Sequence, residues 1–155
     1  MSKSLKRVIA ALEAAGCDSM PVEIGHATTA QMAADLVGCT VDQIAKSIMF
    51  RGETSSAALL FVTAGSNQVD DAKASALAGE TLGKADPGLI RAQTGFAIGG
   101  VSPIGHLTAP RAFFDPRLLE FDQVWAAAGT PRHVFAMDPD ALLRISGAAT
   151  ADFTA

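Results

Sequence analysis

Basic residues are in short supply in this chain: 12 lysines and arginines stand against 16 aspartates and glutamates in 155 residues, a formal net charge of −4. A protein that grips nucleic acid by charge alone draws its affinity from neutralised phosphates and carries a large basic excess. Any nucleic-acid partner of this chain must therefore be held at a small local site. Long apolar runs are missing as well. The longest, Ala57 to Ala64 with Thr63 admitted, falls far short of the ~20 residues a membrane helix needs. Lys3, Lys6 and Arg7 ahead of Val8–Leu12 have the outline of a signal peptide, but Glu13 interrupts the apolar stretch and a helix explains the pattern better. There are two cysteines, Cys17 and Cys39, enough for one bridge and not for a disulfide framework. A cytoplasmic, reducing location is the expectation.

Several catalytic signatures are absent too. There is no glycine-rich loop ending in Gly-Lys-Ser/Thr to cradle a nucleotide, and no G-x-S-x-G elbow; Ser102 is followed by Pro103, which does not fit that strand-to-helix turn. His26, His106 and His133 are widely separated and make no helical ligand pair, so neither a metal nor another cofactor is expected. Cys17 or Cys39 as a nucleophile would need a lowered thiol pKa, which no neighbouring residue implies. Small free cysteines more often fill a core.

What the chain does have is apolar content: 49% hydrophobic and 18% charged, against roughly 25% charged in an average soluble domain. A chain of this length buries roughly 70% of its unfolded surface, consistent with one domain around one core. Leu5, Val8, Ile9 and Leu12 recur at helical spacing and predict a helix over 4–15, closed by Gly16. Pro21–Ile24 reads as a short strand. Thr28 with Gln31 is a capping-box pattern ahead of a helix closed by Gly38, and Thr40 with Gln43 repeats it ahead of a short helix over Val41–Ala45. Ser47–Arg51 and Ala57–Val62 read as an antiparallel strand pair. Asp70 or Asp71, Asp86-Pro87 and Asp138-Pro139 start three further helices, ended near Gly79, Gln93 and Gly147. Strands are expected at Phe96–Ile98, Arg111–Asp115, Val124–Ala127 and His133–Met137, and the segment from Ala148 is expected to fray. No repeat or linker divides this mixed α/β pattern.

Two features carry possible chemistry. Lys46 stands alone among Ile44, Ala45, Ser47, Ile48, Met49 and Phe50. An ammonium entering an apolar strand is costly unless something anionic meets it, although a lysine at a strand end can also snorkel its charge into water. The loop Gly99-Gly100-Val101-Ser102-Pro103-Ile104-Gly105-His106 lets backbone approach a ligand closely and offers N–H donors. It is equally readable as a tight connection.

The stretch Ile44–Phe50 followed by Val62-Thr63-Ala64-Gly65-Ser66-Asn67-Gln68-Val69-Asp70, together with the Gly99-x-x-x-Pro103 loop and the run from Phe114 through Trp125, Gly129, His133-Val134-Phe135 and Leu142-Leu143, resembles the YbaK family. These are freestanding aminoacyl-tRNA editing domains related to the domain inserted in bacterial prolyl-tRNA synthetase, and the resemblance covers about residues 5–147. It implies a single domain over 1–147 with a tail at 148–155, built as a curved, barrel-like, mixed and largely antiparallel β-sheet flanked by helices. It implies a trans-acting aminoacyl-tRNA deacylase that hydrolyses the ester of a mischarged tRNA, with Ala- or Cys-tRNA(Pro) among the candidates, by substrate-assisted attack of water. The catalytic positions would be Lys46, holding the phosphate and ribose end of the acceptor strand, and Gly99 and Gly100, in a loop from Gly99 to Pro103 that directs backbone N–H groups at the ester carbonyl. Ser102, Pro103, Asp115 and His133 would bind substrate. The implied partners are the 3′ end of an aminoacyl-tRNA and an aminoacyl-tRNA synthetase, and neither a membrane nor DNA. A non-catalytic tRNA- or synthetase-binding module of the same fold is the alternative.

Overall fold

Side-chain caps and terminal glycines set the helix ends in the computed structural model, which describes residues 1–155. Helix α1 (Lys3–Ala14) starts where the Ser2 hydroxyl accepts from the Leu5 N–H, and it buries Leu5, Val8 and Leu12. Helix α2 (Ala30–Val37) is capped by Thr29 rather than Thr28 and ends at Gly38, whose φ of 78° is the left-handed conformation glycine adopts without strain. Asp70, Asp86 and Asp138 cap α3 (Asp71–Ala78), α4 (Pro87–Thr94) and α5 (Pro139–Ser146). The Thr40–Gln43 pattern opens only a 3-10 turn, Val41–Gln43, because Ile44 already enters a strand. No helix is long and apolar enough to cross a membrane.

Eight strands form one mixed sheet: β1 (Val22–Glu23), β2 (Ile44–Gly52), β3 (Ala58–Ala64), β4 (Leu82–Lys84), β5 (Arg111–Phe114), β6 (Val124–Ala127), β7 (His133–Met137) and β8 (Ala149–Thr150). Their spatial order is β1-β7-β6-β2-β3-β5-β8, with β4 also paired to β2. The β1–β7, β6–β7, β2–β3 and β2–β4 pairs are antiparallel, whereas β2–β6, β3–β5 and β5–β8 are parallel. The sheet is open, ending at β1 and β8, so barrel-like curvature does not close it. Phe96–Ile98 is not a strand: the Phe96 N–H is taken by the Thr94 hydroxyl and the Ala97 carbonyl by Gly100 N–H, which turns the chain locally.

Strand β3 is buried along its whole length and divides the core by its two-residue period. Leu60, Val62 and Ala64 join Leu5, Val8, Leu12, Phe96, Phe114 and Phe135 on one face. Leu59 and Phe61 meet Ala74, Ala78 and Phe153 on the other. The segment from Ala148, expected to fray, is therefore structural: β8 pairs with β5, Thr154 bridges Val69, and Phe153 is fully buried. One irregularity of the sheet positions the site. On the edge of β2 away from β3, β6 pairs only Ile44 and Ala45 and β4 pairs only Phe50–Gly52. Between them Lys46–Met49 has no neighbouring strand.

Candidate functional site

That gap in the sheet faces a cleft of about 750 Å³, walled by β2, the start of α2, the β6–β7 turn and the loop at Gly99. Its volume lies in the range of small-molecule sites. The lining is mostly apolar, including Ile44, Ile48, Met49, Val101 and Trp125. Its charged side chains are Lys46 and Lys84, with His133 beside them and no carboxylate. An acidic protein thus presents a locally cationic hollow.

Lys46 reaches the cleft because side chains of β2 alternate: Ala45 is buried in the main core, and the next residue leaves it. Its Nζ donates to the Asn67 carbonyl at 2.7 Å. Partial burial pulls its pKa below the ordinary lysine value, and the negative charges of Asp115 and Asp42 counter that pull. One of three ammonium donors is occupied, which leaves two for a ligand.

The loop from Gly99 divides sharply. Gly99 is exposed, lines the cleft and has φ 97°, a conformation that requires glycine. Its N–H and that of Val101, which also lines the cleft, have no hydrogen-bond partner within the protein. Gly100 is buried, and its N–H donates to the Ala97 carbonyl at 3.0 Å. A Cβ on Gly100 would lie 2.9 Å from Thr130 Cα, so its role in the structure is close packing against the β6–β7 turn. Ser102 and Pro103 are buried under the loop, and the Ser102 hydroxyl accepts from the Ile104 N–H at 3.3 Å. The loop is braced from behind. His106 Nε2 donates to the Ser102 carbonyl at 2.6 Å, and the Arg7 guanidinium of α1 donates to the Gly95 and Gly105 carbonyls at 2.6 and 3.3 Å. Burial, and secondarily the charge of Arg7, hold the His106 pKa below its usual value.

His133 lines the cleft from β7, its Nδ1 sharing a 2.7 Å hydrogen bond with the Thr130 hydroxyl and its Nε2 3.9 Å from Glu23. Asp115 does not line it. The Asp115 carboxylate is 2% exposed and lies behind Lys46, accepting from Ala64 N–H, Asn67 Nδ2 and Arg117 N–H at 2.9 to 3.1 Å. The cysteines are both free and outside the cleft, and burial pushes the Cys39 thiol up, away from thiolate character. No group of histidine, cysteine and acidic side chains is arranged to hold a metal ion. Sequence reasoning brought Lys46, Gly99 and His133 to one place. Within the Gly99–Pro103 loop the free N–H beside that of Gly99 belongs to Val101 and not to Gly100, and Lys84, whose three-residue strand β4 gives almost no sequence pattern, was not foreseen.

The model of the aminoacyl-tRNA editing domain family matches residues 25–145. The uncharacterized protein YwhH of Bacillus subtilis (strain 168) is 33% identical over 118 residues, which are 76% of this chain and 74% of that protein. Among solved structures, a candidate trans-editing enzyme for prolyl tRNA synthetase is 45% identical, with a TM-score of 0.92 over 100% of this chain and 99% of its own. A structure from work on epitope backbone grafting onto scaffold proteins is 43% identical, with the same TM-score of 0.92 and the same coverage of 100% and 99%.

Proposed function

Because the chain belongs to the aminoacyl-tRNA editing domain family, we propose that it is a trans-acting deacylase that hydrolyses the ester of mischarged tRNA in the cytoplasm, with Ala- and Cys-tRNA(Pro) the first substrates to test. The observation that carries this reading is the cleft itself. It combines two lysines, no carboxylate, and two unbonded backbone N–H groups beside an apolar lining. Phosphate suits the cations, a small aminoacyl side chain suits the lining, and an ester carbonyl suits the free N–H pair.

In this reading water attacks the ester carbonyl, and the negative charge that develops on its oxygen meets the N–H groups of Gly99 and Val101. The carbon–oxygen bond to the ribose then breaks, the ribose oxygen takes a proton, and the amino acid leaves as a carboxylate. The vicinal hydroxyl of the terminal ribose orients the water, so no protein nucleophile is required. Lys46 holds the phosphate and ribose end as a point charge, and His133 contacts the substrate from the opposite wall. Gly100, Ser102 and Pro103 act by shaping the loop from beneath. With only two cleft lysines and a net charge of −4, affinity for the tRNA body is weak, and an aminoacyl-tRNA synthetase partner supplements it.

The test offers the purified protein a panel of tRNAs mischarged with alanine, cysteine, serine or threonine, and correctly charged controls, and follows ester release. Hydrolysis confined to one or a few mischarged species supports the deacylase. Binding without turnover on every species overturns it in favour of a non-catalytic tRNA- or synthetase-binding module.

A further inference from the structure

Behind Lys46 lies a polar assembly that the cleft itself does not use. The turn after β3 approaches the 3-10 turn Val41–Gln43 so closely that a Cβ on Gly65 would stand 2.0 Å from the Val41 carbonyl oxygen. This contact puts the Asp42 carboxylate against Ser66, whose N–H donates to it at 2.9 Å and whose hydroxyl donates to it as well. Asp115 holds the residues on either side, accepting from Ala64 N–H at 3.1 Å and Asn67 Nδ2 at 2.9 Å. Arg117 ties the two carboxylates together, its backbone N–H on Asp115 at 3.0 Å and its Nε on Asp42 at 3.2 Å. The Asn67 carbonyl, fixed by this clamp, is the acceptor for Lys46 Nζ.

We propose that Asp42 and Asp115 are positioning residues: together they clamp the Gly65–Asn67 turn, whose Asn67 carbonyl aims the Lys46 ammonium into the cleft. Neither carboxylate forms a salt bridge with Lys46. A direct ion pair would use up the donors a phosphate needs. Carboxylates held further off, with their own oxygens engaged by Ser66, Asn67, Ala64 and Arg117, favour the charged ammonium and leave two of its donors free. Asp115 and Asp42 are the charges that oppose the effect of burial on Lys46, while Arg117 pairs with Asp42 and Glu120.

The inference rests on the proposed deacylase for its purpose, but its test does not require activity. Lysine side chains labelled with ¹³C are titrated by NMR in the wild type, Asp42→Asn and Asp115→Asn, with Lys3 on α1 as an internal control. In both variants Lys46 is expected to lose its proton at lower pH than in the wild type, with Lys3 unmoved. On mischarged tRNA, kcat/KM is expected to fall about tenfold, the scale of one hydrogen bond to a charged group, and Asp42→Glu restores part of it. Asp115 is buried, so if Asp115→Asn does not fold, Asp42, which lies nearer the surface with 18% of its side chain exposed, carries the test. An unchanged Lys46 titration in folded Asp42→Asn overturns the inference. A wild type inert on every mischarged tRNA overturns the deacylase reading alone, because the titration is read without substrate.

Discussion

Replacing Lys46 by methionine separates the charge at the cleft from the packing around it. Methionine keeps a flexible unbranched stem and removes the ammonium, which donates to the Asn67 carbonyl and faces the hollow with two free donors. A hydrogen bond to a charged group contributes about 1.5–3 kcal/mol, so loss of one phosphate contact lowers single-turnover deacylation about 10- to 100-fold. Stability moves little. The Asn67 carbonyl loses its donor but sits beside a cleft from which water can replace it, and Asp115 retains its three N–H partners. The urea midpoint is expected to correspond to a change within about 1 kcal/mol, typical of substitutions that leave the core intact. Lys46→Arg keeps the charge in a planar fork that does not reproduce an ammonium, so its activity falls between those of wild type and Lys46→Met. Full activity in a folded Lys46→Met refutes the phosphate role, and unfolding of that variant refutes the claim that the residue serves the site rather than the core.

Three further outcomes follow from particular contacts. Gly65→Ala forces a Cβ to within 2.0 Å of the Val41 carbonyl, which is expected to cost about 1–3 kcal/mol in urea unfolding and to lower the deacylation rate by displacing Asn67; unchanged values in both assays contradict it. Phe153→Ala removes a fully buried ring packed on Phe61 and is expected to cost about 3–5 kcal/mol by chemical denaturation, whereas a loss below about 1 kcal/mol would return the C-terminal segment to a frayed tail. Burial pulls the His106 pKa down, so it is lower in the folded chain than in the unfolded one, and the unfolded chain binds the extra proton as pH falls below about 6.5. Its contribution is thus a loss of stability on acidification through that range. Thermal unfolding of His106→Phe is expected to be less sensitive than wild type between pH 7 and 5, and equal sensitivity contradicts the assignment.

What the sequence made legible was local. Asp70, Asp86-Pro87 and Asp138-Pro139 announce helix starts because a cap and its N–H partners lie within three residues of each other. The Thr40 pattern misled for the same reason: a capping signature fixes one turn, and the long pairing of β2 with β3 decides what Ile44 does next. Strands β4 and β8 are too short to carry a period, and they form because Phe50–Gly52 and Phe113–Phe114 offer them edges. In the site, Lys46 stood out as a lone charge in an apolar strand, and Gly99 as part of a loop that only glycine can build. Asp115 was noticed but misplaced, since a turn-forming Asp-Pro says nothing about which way the carboxylate faces. The Asp42–Arg117 contact joins residues 75 positions apart, a separation no local pattern spans.

In the proposed function one cleft receives the aminoacylated 3′ end. Its most direct test is backbone amide NMR of the full chain titrated with a non-hydrolysable aminoacyl-adenosine analogue carrying a 5′ phosphate. Perturbations are expected to concentrate at Lys46, Gly99, Val101 and His133, with the Gly99 and Val101 amides moving most as they acquire an acceptor. Saturable binding that perturbs another face, such as α1 with Lys3 and Lys6, and leaves those amides still would contradict it.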